Sequence, residues 1–232
     1  MTRAAATRAV AGTVATRSVA GAVAGAVAGA VASGTVVVRA VAGLCLLLGA
    51  MLARSPGAIA MSMTVDGRRV VLSGAVQGDE CGRLRSILQQ SAIRTVVLTQ
   101  SPGGNAEAGY CIGELIRARG LDTVIRGSCN SSCSRMWLGG VSRTLDGNNA
   151  RVGLHGNYDL NGRLKPGTPE RLQAWIPHYA PGVNRTLMAQ WTRLPTGRDM
   201  MYFYNDRAEL CENGQCTVLP GWNAVNAGLA TQ

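Results

Sequence analysis

The sequence predicts an α/β fold made of repeated β-α-β units around a largely parallel sheet. Short β-branched runs alternate with segments of helical period, and glycine or proline punctuates nearly every change of period. Strand, helix, strand repeated in this way requires right-handed crossovers, which lay the strands parallel.

The elements follow in order. Met63 to Val76 contains Val70-Val-Leu-Ser-Gly, a strand that ends in glycine. Asp79 to Gln90 places Leu84, Ile87 and Leu88 on one helical face, with acids at its start where the helix dipole favours them. Thr95-Val-Val-Leu-Thr99 reads as a buried strand and Ser101-Pro-Gly-Gly as a turn. Ala106 to Arg119 is a second helix, stopped by Gly120. Thr123 to Arg126 is a strand, Ser132 to Gly140 a helix, and Arg151 to Leu154 a strand that delivers His155. Gly156 to Pro169 is polar and glycine-rich. Glu170 to Ile176 and Asn184 to Arg193 are expected as helices, and Trp222 to Leu229 as a short closing helix capped by Gly228.

The first sixty residues differ from the rest. Residues 1–34 are almost entirely Ala, Val, Gly and Thr with scattered arginines, and hold no acid and no aromatic. Arg39, the apolar run Ala40 to Leu52, and Ala58-Ile59-Ala60 together read as an export signal. The apolar run is shorter than the ~20 residues of a membrane span. The expected organisation is therefore a low-complexity region with an export signal over 1–60, followed by one domain over 61–232. The protein is expected in the periplasm; the alternative is an uncleaved segment anchoring it in the inner membrane.

All 13 acids follow residue 60, while the formal charge of the whole chain is +10. The exported part is thus only mildly basic. With no basic run beyond Arg68-Arg69 and few aromatics, a nucleic-acid partner is not expected. Six cysteines follow the signal, an even number that suggests disulfides in an exported chain. Cys211 and Cys216 flank Glu-Asn-Gly-Gln, a tight-turn sequence suited to a bridged hairpin. Cys129 and Cys133 are close enough to pair, which leaves Cys81 with Cys111. No Cys-x-x-Cys pair occurs and the chain has two histidines, so neither a metal nor another cofactor is expected.

Three segments carry chemistry. Ser131, in Gly127-Ser-Cys-Asn-Ser131-Ser132-Cys133-Ser134, is the candidate nucleophile, and His155 the candidate base. A serine hydroxyl needs a base at neutral pH, and imidazole titrates near neutrality. Gly103-Gly104 allows close approach of the backbone to a substrate. The amide of Gly104 and that of Ser132, at a helix start, form the candidate oxyanion hole. All three segments follow strand ends, where ligands gather in open parallel sheets. Taken singly, Ser-Ser reads as a helix cap, Pro-Gly-Gly as a turn and the histidine as a hydrogen bonder.

Gln100-Ser-Pro-Gly-Gly-Asn-Ala-Glu-Ala-Gly-Tyr-Cys-Ile resembles the helix-entry segment of the Clp protease proteolytic subunit. Gly127 to Gly140 resembles that family's nucleophile segment, with Ser131 at its serine, and Ala150 to His155 its histidine segment. The resemblance covers about residues 70–160. It implies a ClpP/crotonase-like fold and serine peptidase chemistry on a peptide or protein substrate. It also implies that Arg198-Asp199-Met-Met-Tyr202-Phe supplies the third triad member, Asp199, with Asp206 the alternative. The chain departs from the family in the Ser132-Cys133 that follows the serine and in the Cys211–Cys216 segment. A Ser–Lys pair would have to use Lys165, the only lysine, ten residues past His155. Acyl-CoA chemistry of the crotonase type conflicts with export. Such subunits form rings, so a homo-oligomer is an open expectation. An ATPase partner is not expected, because exported proteins lack ATP. The competing expectation is an inactive fold of this type that binds a peptide or partner.

Overall fold

The computed structural model describes residues 60–231. The expected export signal lies, except for Ala60, outside them.

The chain builds two five-stranded sheets. The first runs in the order β1 (Ser62–Asp66), β2 (Arg69–Ser73), β3 (Thr95–Thr99), β4 (Asp122–Ile125), β6 (Arg143–Leu145). The second runs β10 (Gln215–Val218), β9 (Ala208–Glu212), β8 (Met200–Phe203), β7 (Arg151–Leu154), β5 (Ser128–Asn130). The first sheet is parallel from β2 onward, as the alternating sequence implies. Helices α1 (Glu80–Gln90) and α2 (Ala106–Ala118) form the crossovers. In the second sheet only β5 and β7 pair in parallel, and β7 to β10 form an antiparallel meander.

Several elements differ from the sequence reading. The Met63–Val76 strand is a hairpin, β1 and β2, turning at Gly67, which has φ 57°. Two three-residue strands, β5 and β6, carry too few residues to show a period. The Trp222–Leu229 segment is a set of turns rather than a helix. Asn223 takes the amides of Val225 and Asn226 on its side chain, and Gly228 lies against Gly182 with φ 71°. Helix α4 (Thr168–Tyr179) runs through Pro177 to its last turn, and α5 (Arg185–Trp191) follows an Asn184 cap.

The core is continuous. Val70, Leu72, Val96, Leu98, Ile112, Ile116, Ile125, Trp137, Val152, Trp191 and Phe203 are fully or almost fully buried. Helix α3 (Ser132–Leu138) crosses α2 on glycines: a Cβ on Gly109 would meet the Ser132 carbonyl oxygen at 2.5 Å. Such an approach fixes α3, and therefore the turn in front of it, against the crossover helix. The sheets meet at the same place. Ser101, just past β3, donates to the Ser128 carbonyl at 2.9 Å and accepts from the Asn130 amide at 3.0 Å.

Candidate active site

Ser131 sits at the junction of β5 and α3 with φ 53° and ψ −122°. This left-handed conformation costs a non-glycine residue about 1–3 kcal/mol and persists only where its surroundings over-determine it. Here they do. The Ser131 amide donates to the Gly153 carbonyl at 2.9 Å, and its own carbonyl accepts from Ser134 N and Oγ at 2.9 and 2.6 Å. The buried Cys129–Cys133 disulfide closes the turn from both sides.

The Ser-Pro-Gly-Gly turn lies directly on this bend. A Cβ on Gly103 would come within 2.6 Å of Ser131 Cβ, which is why glycine stands there with φ 90°. The loop at Val76 clamps Gly104 in turn: Val76 N donates to Gly103 O and Asn105 N donates to Val76 O, both at 2.8 Å. Buried Glu80 holds that loop, accepting the amides of Gln77 and Gly78 at 2.8 and 2.7 Å. Among the described residues neither the Gly104 nor the Ser132 amide donates to any acceptor. Gly104 is solvent-exposed, and Ser132 opens a helix.

His155 leaves the end of β7 into the same cleft as Ser131. No hydrogen bond joins Ser131 Oγ to the imidazole. Nδ1 of His155 lies 3.1 Å from the main-chain oxygen of Asp199, which fixes the ring with its other nitrogen free of a described partner. The Asp199 carboxylate is engaged elsewhere. Oδ2 accepts from Thr196 N and Oγ1 at 3.0 and 2.7 Å, and Oδ1 from Asn213 N at 3.1 Å. Asp199 thus reaches the histidine through its backbone rather than through the carboxylate that the family resemblance implies. Asp206 pairs with Arg207 at the surface.

Burial, and then the nearby Arg135 guanidinium, push the imidazole down to about 3. Arg135 is almost wholly buried and has no carboxylate. Its Nη2 donates to the His155 carbonyl at 2.9 Å and to Asn157 Oδ1 at 3.1 Å. Desolvation lowers its own proton affinity. His155 is therefore held neutral, able to accept a proton but with little to stabilise the cation once formed.

The cleft is open and about 1590 Å³, larger than the usual ~300–1,000 Å³ of a small-molecule pocket. Ser131, His155, Asp199 and Gly104 line it together, while Ser132 is buried and does not line it. Lys165 lines it too, with an exposed side chain. Thr196, Asn213 and Arg135 were not legible as site residues, although Thr196-x-x-Asp199 has the spacing of a side-chain-capped turn.

All six cysteines among the described residues pair: Cys81 with Cys111, Cys129 with Cys133 and Cys211 with Cys216. Three disulfides suit an oxidising environment. Glu209, Cys211 and Cys216 lie within 4.8 Å of one another, but both sulfurs are bridged, which leaves a single ligand. Among the described residues no helix is long and apolar enough to cross a membrane.

No family profile matches the sequence, and no curated protein matches it. Among solved structures, a variant of a membrane-bound stomatin-specific protease shares 14% identity, over 72% of this chain and 80% of that one, at TM-score 0.43. A ClpP1 variant from Listeria monocytogenes shares 15%, over 70% and 88%, at 0.46. A Streptomyces coelicolor A3(2) protein described as a candidate enoyl-CoA hydratase shares 13%, over 78% and 69%, at 0.43.

Proposed function

We propose that the protein is an exported serine hydrolase acting on peptides. Ser131 attacks the scissile carbonyl carbon while Nε2 of His155 takes its proton. The Gly104 and Ser132 amides receive the oxyanion. Collapse breaks the C–N bond, and the imidazolium returns its proton to the leaving amine. Water then releases the acyl group by the same route. Asp199 orients the ring through its carbonyl. The developing oxyanion, formed nearby, offsets the imidazolium charge that the site otherwise disfavours.

The observation that carries this reading is the strained φ of 53° at Ser131, on the wall of the cleft that holds His155. A helix cap needs no such strain. Ser131 and His155 share no direct hydrogen bond, and catalytic hydrogen bonds often tighten only when substrate binds. The three disulfides support the export part of the proposal. The test is a fluorophosphonate probe. The purified chain labels, and Ser131→Ala abolishes labelling without changing the circular dichroism spectrum.

One observation favours a second reading, a binding protein without turnover. The Asp199 carboxylate makes no hydrogen bond to His155 and is held instead by Thr196 and Asn213. A folded chain that never labels selects this reading.

A further inference from the structure

We infer that the cleft selects peptides by their carboxylates, and that Arg163, Lys165 and Arg198 form the recognising rim. The inference rests on the cleft being a peptide site, whether or not that peptide is cut.

Two of the three cations sit on a strap, residues 157–168, that lines the cleft with His155. Lys165 N donates to Asn157 O and Asp159 N to Arg163 O, both at 2.9 Å, and Tyr158 bridges Leu164. A second contact fixes the outer edge: Arg163 bridges Thr196, and Gly197 N donates to Gly162 O at 3.1 Å. Tyr158 Oη ties the strap to the Leu194 carbonyl at 2.8 Å. Leu164 packs inward onto Gly156, where a Cβ would meet its Cδ1 at 2.3 Å. Side chains alternate along an extended segment, so Arg163 and Lys165 share the opposite, exposed side. Arg198 follows two residues after Thr196. All three cations line the cleft.

None of the three has a carboxylate partner among the described residues. The acids of the cleft form no salt bridge with them, although Asp159 lies near enough for Arg163 and Lys165 to lower its proton affinity. Glu107 is held by Arg171, with Oε2 2.7 Å from Nη2. Asp159 Oδ1 caps its own turn, accepting from the Asn161 and Arg163 amides at 2.8 and 3.0 Å. Asp199 is buried on Thr196 and Asn213. The mouth thus offers three cations on a fixed frame. Spaced carboxylates of an extended peptide suit this frame better than a continuous phosphate chain. Asp159 and Glu107 interrupt the positive charge, and no aromatic lining the cleft is exposed for a base to stack on.

Each exposed pair contributes about 0.2–1 kcal/mol, so three carboxylates strengthen binding roughly ten-fold, and salt screens the gain. The experiment uses the full chain carrying Ser131→Ala, so that nothing is cut, and three fluorescent peptides of one length. The first carries internal Glu residues and an amidated C-terminus, the second has Gln in their place, and the third is the Gln peptide with a free C-terminus. At low salt the Glu peptide binds about ten-fold tighter than the amidated Gln peptide, and high salt removes the difference. Adding Arg163→Gln, Lys165→Gln and Arg198→Gln also removes it, with the melting temperature unchanged. A free C-terminus that restores the tight binding identifies the terminal carboxylate as the source; no gain from it identifies the side chains. Equal binding of all three peptides overturns the inference. So does a preference that survives the triple substitution, or single-stranded DNA or polyphosphate binding tighter than the Glu peptide. Fluorophosphonate labelling of the unmodified chain reads the hydrolase proposal separately, so either can fail alone.

Discussion

The main-chain oxygen of Asp199 lies 3.1 Å from Nδ1 of His155, while its carboxylate binds Thr196 and Asn213. The residue expected as the triad acid thus fixes the ring with its backbone and bonds its carboxylate within its own loop and to Asn213. The imidazole keeps its orientation, but the carboxylate bonds to three other donors, and its charge raises the ring's proton affinity less than burial and Arg135 lower it.

The first prediction concerns that carboxylate. In a Ser-His-Asp triad the amide substitution lowers kcat by ~10⁴ with the fold intact. Here Asp199→Asn turns an NH₂ group toward a donor that the carboxylate now satisfies. It should lower stability by about 1–3 kcal/mol and kcat by less than ~100-fold. Thermal melts and peptidase kinetics on one preparation check both. A ~10⁴ loss at unchanged melting temperature would show that the carboxylate swings onto His155 in the working state.

The second concerns pH. The folded imidazole titrates at about 3, below its ordinary value near 6.5. The base is therefore neutral through the mildly acidic range, so kcat/KM should stay level from pH 8 to about 5, with no limb near 6.5 from His155. Stability carries the same sign. Between these two values the unfolded chain takes up a proton and the folded chain does not. The contribution is thus complete above 6.5 and is lost as pH falls toward 3. Urea titrations at pH 7 and pH 4 should show His155→Gln losing less stability on acidification, by up to ~3 kcal/mol. Equal losses in the two proteins would contradict the buried neutral ring.

The third concerns the β9–β10 hairpin. Asn213 sits at its turn, closed by Cys211–Cys216, and its amide holds Asp199. Replacing both cysteines by serine should cost about 2 kcal/mol of stability, lower kcat several-fold and leave KM unchanged, because only the histidine support loosens. An unchanged kcat would mean that the hairpin plays no part in holding the ring.

The fourth concerns helix packing. A Cβ on Gly109 would press on the Ser132 backbone, and one on Gly113 on the Arg135 carbonyl, at 2.5 and 2.4 Å. Gly109→Ala and Gly113→Ala should each destabilise by ~1–3 kcal/mol. Gly109→Ala should also lower kcat more, since it displaces the residue carrying a proposed oxyanion amide. If Gly113→Ala impairs turnover equally, the Ser132 amide has no special role.

Much of the fold was written locally. Val96, Val97 and Leu98 form β3 as their β-branched run implies, and the 3.6-residue spacing of Ala108, Ile112 and Ile116 is the buried face of α2. Cys211–Cys216 and Cys129–Cys133 pair as their spacing suggested, and Cys81 and Cys111, the two left over, pair with each other. By contrast β5, with three residues, was illegible, because its strand state comes from pairing with β7 and not from any pattern of its own. The strap over residues 157–168 read as glycine-rich loop for the same reason.

The sequence alone determined that His155 and the Gly103-Gly104 turn follow strand ends, since period and punctuation are local properties. Only tertiary structure decided what each atom faces: that Ser131 is strained, that Asp199 offers its carbonyl to His155, and that buried Arg135 lies beside the ring. Those outcomes depend on which donors other segments bring within about 3 Å, and hydrogen-bond geometry of that kind has no counterpart in the order of residues along one strand or helix.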